Sequence, residues 1–313
     1  MKQMYFIINL QAKNGRCRKV WEQIEQQLTQ YGTPYKACYT EYSGHAVELT
    51  KAIAQEEYEE EKTIVVVGGD GTLHEVVNGA IGHSKLTIGF IPGGSGNDFS
   101  RGFGIPQDPL AALKLILDES PKNVVDIGRI SAGTTSHYFI NNMGVGFDAA
   151  ISDDANHSKL KAKLNVLSLG SLAYAFIVIK KLFTYQSTDM WIKIDEQEKQ
   201  FKQVWFVTLA NQVYYGGGMK IAPNASATDG LLDVIIVHNL SRWKLLSVFI
   251  SVFWGGHTEF KEVCMLKGKK VSIQTQKPVI AHADGEIIGN TPMEVEAVCD
   301  SLTIITGKLE GTG

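Results

Sequence analysis

Cysteine is scarce: Cys17, Cys38, Cys264 and Cys299 are the only four in 313 residues, and no two stand in a C-x-x-C spacing. Scattered thiols of this kind make neither a disulfide framework nor a zinc site, so they are expected to be reduced cysteines of a cytoplasmic protein. Basic excess is absent too. Thirty Lys and Arg stand against 33 Asp and Glu, a formal charge of −3, which argues against a nucleic-acid partner. No apolar run is long enough for a comfortable membrane span, the longest uncharged stretch being Leu164 to Ile179, so at most a peripheral contact with a membrane surface is expected. The N-terminal MKQMYFIINL is too short in its apolar part for a signal peptide and continues as a strand. Internal repeats, low-complexity tracts and long linkers are lacking. What remains is an ordinary globular composition, 44% hydrophobic and 20% charged, at a length that suggests two domains.

The stretch from Lys62 to Gly79 carries the strongest local signal. Ile64 to Val67 form a strand, Gly68-Gly69-Asp70-Gly71 a turn, and Leu73, Val76 and Val77 recur at helical spacing. Thr72 and Glu75 are three apart where the period changes, which predicts a capping box. Glycines there leave backbone N–H groups open to an anion at the positive end of a helix, so the turn suits phosphate. Asp70 is the odd member. A carboxylate beside phosphate needs a cation between them, or a proton from an attacking hydroxyl, unless the stretch is only a tight turn with a solvated aspartate.

Upstream, Tyr5 to Asn9 reads as a strand, Gln11 to Arg16 as a polar turn containing Lys13, Arg18 to Tyr31 as a helix, Tyr35 to Thr40 as a strand and Ser43 to Glu60 as a helix. Asn9 and Lys13 thus stand at the carboxyl end of a sheet, where open α/β sheets bind ligands. Downstream, the strand Leu86 to Ile91 runs into a second glycine loop, Pro92-Gly93-Gly94-Ser95-Gly96-Asn97-Asp98-Phe99, and two such loops converge on one edge. A helix at Leu110 to Leu117 and an exit strand at Val124 to Ile130 complete an α/β domain over residues 1–125 with a parallel sheet. Residues 126–313 read differently, as a β-rich domain whose C-terminal tail is free to return to the first domain. Short strands at Ser136 to Asn142, Met190 to Asp195, Phe201 to Asn211, Leu231 to His238, Lys270 to Thr275, Pro278 to Ala283, Glu286 to Ile288 and Leu302 to Thr306 predict an antiparallel, sandwich-like domain. Two helices interrupt it, Leu160 to Phe183 and Ser241 to Trp254, the first after a basic segment and apolar enough to cover a sheet or to face lipid. Exposed sheet edges in this half would allow a homodimer.

Two motifs in the second half stay ambiguous on the residues alone. Tyr214 to Met219 is a glycine loop leading to Pro223 through Asp233, whose carboxylates and turn carbonyls suit magnesium or, equally, an ordinary Asp-Gly turn. Asp284-Gly285 is a hairpin signal, and Glu286 next to it is well placed to take a proton from a hydroxyl.

Taken in order, Gly68 to Thr72, Ile91 to Asp98, the Tyr-Gly-Gly-Gly-Met run, Ser226 to Leu231 and Asp284 to Glu286 resemble the soluble diacylglycerol kinase family, which includes the sphingosine kinases and bacterial lipid kinases. The resemblance covers nearly the whole chain. It implies a nucleotide-binding α/β domain and a β-rich, lipid-binding domain with a cleft between them, and transfer of phosphate from ATP to a lipid hydroxyl, such as that of diacylglycerol. Carried over, it makes Asn9, Lys13, Thr40, Gly68, Gly69, Gly71, Thr72, Leu73, His74 and Ser95 nucleotide contacts, with Asp70 near the phosphates and Mg2+. Asn97 and Asp98 become the wall between nucleotide and lipid, Ser226, Asp229 and Leu231 a structural magnesium site, and Glu286 the general base. Leu10 replaces the family's usual proline and Ser95 its usual threonine; Asn9 and a hydroxyl survive. NAD kinases share the Gly-Gly-Asp-Gly turn, but the second glycine loop and the terminal Asp-Gly-Glu fit the lipid kinases better. A nucleotide-binding or membrane-associated protein without catalysis is the remaining alternative.

Overall fold

β-branched runs alternate with amphipathic helices through the first third of the chain, and the computed structural model shows the layered sheet this pattern demands. It describes residues 3–56, 61–118, 121–132, 135–157 and 170–307. In order come β1 (Gln3–Ile8), α1 (Cys17–Tyr31), β2 (Lys36–Tyr39), α2 (His45–Gln55), β3 (Lys62–Gly68), α3 (Asp70–Ala80), β4 (Leu86–Pro92), α4 (Asp98–Gly102) and α5 (Pro109–Leu117). Strands β2, β1, β3 and β4 pair in parallel in that order. β3 and β4 are buried along their whole length, as parallel strands covered on both faces must be. The last helix shows the local logic: Asp108 accepts a hydrogen bond from Ala111 N at 2.9 Å and Pro109 occupies the first turn.

The remaining elements are β5 (Lys122–Ala132), β6 (Thr135–Phe139), β7 (Asn142–Gly146), α6 (Phe147–His157), α7 (Gly170–Thr184), β8 (Thr188–Ile194), β9 (Gln197–Ala210), β10 (Tyr214–Tyr215), β11 (Met219–Lys220), β12 (Leu232–His238), α8 (Arg242–Ser251), β13 (Val263–Gly268), β14 (Lys270–Thr275), β15 (Ile280–Ala283), β16 (Glu286–Asn290) and β17 (Met293–Ile305). Most pair antiparallel in the order β16-β15-β7-β9-β8-β14-β17, with β12 and β13 branching from β9. The two halves share one continuous sheet, because β17 pairs with β14 and β5 and then runs parallel to β4, Thr303 opposite Thr87.

Several expectations need adjusting. The capping box is absent: α3 begins at Asp70 with Gly69 as an N-cap that offers no side chain, and Thr72 lies inside the helix. Glu75 instead accepts from Gly44 N at 2.8 Å and Ala46 N at 3.0 Å, capping the neighbouring α2. The strand expected at Ser136 to Asn142 breaks at Ile140 and Asn141 into β6 and β7, and the strand expected from Leu302 is the end of the longer β17. Helix α2 is described to Gln55, and part of the expected Leu160 to Phe183 helix, with the basic segment before it, lies outside the described residues. No helix among the described residues is long and apolar enough to cross a membrane.

Candidate active site

Four parallel strands end on one side of the sheet, and each delivers a candidate group: Asn9 after β1, Thr40 after β2, Gly69 after β3 and Gly94 after β4. Around them opens a cleft of about 460 Å3 lined by Asn9, Lys13, Thr40, Gly69, Gly71, Thr72, Ser95 and, from the far half of the chain, Glu286. Asn9 donates through Nδ2 to Thr72 Oγ1 at 3.0 Å, so the first strand end is fixed to the first turn of α3. With no side chain capping α3, its leading N–H groups face an anion site unblocked.

The two glycine turns touch backbone to backbone. Gly93 N donates to Gly68 O at 2.7 Å, and a Cβ on Gly94 would overlap Gly69 Cα. Glycine is required here by close approach rather than by dihedral angle. Asp70 turns sideways beneath the second turn, where its oxygens accept from Asp98 N at 3.3 Å and Phe99 N at 3.2 Å. Its position as the first helical residue aims the carboxylate under the 96–99 loop, and it is not itself among the cleft-lining groups. Burial, with the nearby Asp98 charge adding, pushes the Asp70 carboxyl up to about 6 despite those two N–H donors. Asp98 is raised as well, chiefly by burial; it accepts from Gly217 N at 2.8 Å and meets Arg101 at 3.3 Å. The Cβ position of Gly96 lies 2.8 Å from Asp70 Oδ2 and 3.9 Å from Asp98 Oδ2, so the two carboxylates converge. Paired, desolvated carboxylates with raised proton affinity are a donor set that fits a divalent cation.

Glu286 stands at the start of β16, after a two-residue turn in which Asp284 and Gly285 both have positive φ, 48° and 93°. Its Oε1 is 3.5 Å from the Cβ position of Gly71. Asp284 holds this hairpin in place: the fully buried carboxylate accepts from Ile140 N, Asn141 N and Asn142 N at 2.9 to 3.1 Å and lies 3.1 Å from His74 Nδ1. Burial works against charge on His74, but the Asp284 carboxylate, with Glu286 and Glu75 adding, leaves its pKa above the ordinary value. Asn78 completes the seam from α3, donating to Tyr138 O at 3.0 Å and accepting from Tyr138 N at 3.1 Å.

The Ser226 to Leu231 turn has a different character. Asp229 Oδ1 accepts from Leu231 N at 3.1 Å, and Ser226 Oγ pairs with Thr228 Oγ1. The Lys267 ammonium sits 3.1 Å from both Asp229 Oδ2 and Asp233 Oδ2 and 3.2 Å from Asn224 O. The ammonium supplies these side-chain oxygens with a countercharge, and no group of three or more His, Cys, Asp or Glu with metal-site geometry occurs among the described residues.

Of the remaining sequence candidates, Gly68 lies beneath the second turn, Leu73 is buried in the core, and the His74 ring faces Asp284. Asn97, at a φ of 53°, accepts from Gly94 N at 3.1 Å and so shapes the second turn. Sequence reasoning did not single out Tyr42, which lines the cleft mouth with its ring stacked on His45 at 4.6 Å. Nor did it find a narrow apolar cavity of about 30 Å3 in the β-rich half, walled by Phe147, Ile151, Phe206, Met219, Leu245 and Val248. Asp148 and Tyr215 also line it; Tyr215 Oη is 3.1 Å from His282 Nε2, four residues before Glu286. Their signal, spread over five elements, is invisible to any local window.

Comparison with known proteins gives two family models in tandem. Residues 3–139 match the diacylglycerol kinase catalytic domain, and residues 141–306 the YegS C-terminal NAD kinase beta sandwich-like domain. The Bacillus subtilis protein named "Putative lipid kinase YtlR" is 31% identical over 98% of this chain and 100% of its own. A diacylglycerol kinase of the same organism is 30% identical over 94% of this chain and 93% of its own. A solved structure of a diacylglycerol kinase from Bacillus anthracis shares the fold, with a TM-score of 0.72 at 23% identity, covering 98% of this chain and 97% of the other.

Proposed function

This chain belongs to the diacylglycerol kinase family and is a lipid kinase, and from that premise we propose that it moves the γ-phosphoryl group of ATP to the hydroxyl of a lipid alcohol of the diacylglycerol type. The observation that carries this reading is Glu286, a carboxylate from the second half of the chain lining the same cleft as both glycine turns.

The triphosphate would lie on the uncapped start of α3 and the first glycine turn, with Lys13 and Ser95 at the rim. Tyr42, held flat by His45, suits a stacked purine. In the reaction the lipid oxygen bonds to the γ-phosphorus as the bond to the β,γ-bridging oxygen breaks; ADP leaves, and the hydroxyl proton passes to Glu286. Magnesium brought with the nucleotide would neutralise phosphate charge, and Asp70 and Asp98 are the residues that would hold it. The narrow apolar cavity, reaching His282 close behind Glu286, marks where the lipid's hydrocarbon part would enter, its walls parting to admit an acyl chain.

The test is Glu286→Gln, assayed with labelled ATP on dioleoylglycerol, other lipid alcohols and NAD side by side. Glu286 is exposed, so the variant should fold normally while kcat drops about 10²- to 10⁴-fold, the range for losing a general base. A loss under about threefold would remove Glu286 from this role, and turnover of NAD alone would replace the lipid reading.

A further inference from the structure

We propose that the outer faces of α7, α8 and the 3-10 turn at Val252–Trp254 form the docking surface by which this protein sits on an anionic bilayer, a reading that rests on the lipid kinase activity and names where its substrate is collected. Exposed apolar side chains are concentrated there. Among the described residues, every large apolar side chain other than tyrosine that is at least half exposed falls on these elements: Phe176, Ile179, Phe183, Trp243, Ile250, Phe253 and Trp254, the two tryptophans at 69% and 66%.

The exposed groups of the two helices meet at Phe183 and Trp243. Along α8 and its extension, Trp243, Ile250, Phe253 and Trp254 recur at helical spacing, while Leu245, Val248 and Val252 on the other side are buried. The Phe183 ring meets Trp243 at 5.7 Å, and Arg242 Nη1 donates to Tyr185 O at 3.0 Å, so the end of α7 is fixed to the start of α8.

Charge selects the occupant. In a chain of formal charge −3, the two helices contain Lys180, Lys181, Arg242 and Lys244 and no carboxylate. Lys181 meets Asp154 at 3.1 Å, Lys180 lies 4.0 Å from the same carboxylate, and Lys244 meets Glu262, so these four cations face two carboxylates on neighbouring elements and leave a positive excess. Aromatic residues beside cations, on helices whose described residues are too few to span a bilayer, are the composition of a segment lying in the interface of an anionic membrane. The surface also leads to the site. The buried face of α8 walls the apolar cavity that ends near His282, so a lipid leaving the bilayer beneath α8 is already beside the hairpin that carries Glu286.

The experiment is co-sedimentation with vesicles of phosphatidylglycerol and phosphatidylcholine, comparing the wild type with Trp243→Ala/Trp254→Ala. The double variant should partition about tenfold or more weakly, phosphorylate vesicle-borne diacylglycerol correspondingly less, and keep its rate on a short-chain diacylglycerol dispersed in detergent. On the wild type, which needs no variant to fold, tryptophan emission should shift to the blue and be quenched by bromine-labelled acyl chains. Equal binding by both proteins, no binding by the wild type, or a concentration-dependent dimer that occludes the tryptophans and leaves vesicles alone would each overturn the docking surface. Tryptophan-dependent vesicle binding by a wild type that phosphorylates no lipid would uphold it while sinking the kinase chemistry.

Discussion

At the residue scale, Asp70 and Lys267 divide what the sequence makes readable from what it hides. The Gly-Gly-Asp-Gly turn marks Asp70 as unusual, yet its direction depends on a second loop whose N–H groups it accepts. Because the folded state raises this carboxyl from 3.8 to about 6, folding favours its protonated form. Its stabilising effect is therefore fully present below the ordinary carboxylate value and is lost as pH rises through about 6. Relative to Asp70→Asn, the wild-type melting temperature should fall between pH ~4 and ~6 and level off above that. In the same region kcat/KM should drop about tenfold per pH unit on the acid side, as the ionised carboxylate disappears. Lys267 carries no signal at all, since the carboxylates it joins lie on β12 and in the turn before it. Asp233 is only 6% exposed, whereas Lys267 is 37% exposed. Removing this partly solvated countercharge in Lys267→Met should cost about 1–3 kcal/mol in urea unfolding, less than a fully buried pair would. With the ammonium in place, chelator should leave the wild-type melting temperature unchanged.

Elements were legible where the local period was strong and misread where a partner decided. Asp284-Gly285 announces a hairpin, and β15 and β16 form it. The same aspartate's grip on the Ile140 to Asn142 bend is a contact between distant segments, which no turn rule anticipates. Glu75 is the parallel case, since spacing assigns it to its own helix and geometry gives it to the next. Helix α6 has an apolar row at Phe147, Ile151 and Ala155, but it is too brief to stand out beside the strands around it. Asp284→Ala would strand three backbone donors and His74 in a buried seam. The expected cost is about 3–5 kcal/mol by denaturant unfolding, with a fall in kcat as Glu286 loses its support. Asp284→Asn, which keeps one good acceptor, should lie between.

Over the whole molecule, alternation of strands and helices followed by strands alone correctly indicates an α/β half and an antiparallel half. Alternation alone does not show that the last strand belongs to both. β17 bonds to β14 and β5 and finishes beside β4, so the cleft is built on a continuous sheet. Calorimetry should therefore show one cooperative unfolding transition, and two separated transitions would contradict the shared sheet. The arrangement also sets a timetable for biosynthesis. Flanked by β3 on one side, β4 has its other neighbour only when Thr303 and Ile304 have emerged from the ribosome. Until then the nascent chain carries an open strand edge able to recruit a stray one, so this sheet is completed only once β17 has been made, and a transcript truncated just before β17 yields a chaperone client rather than a smaller enzyme.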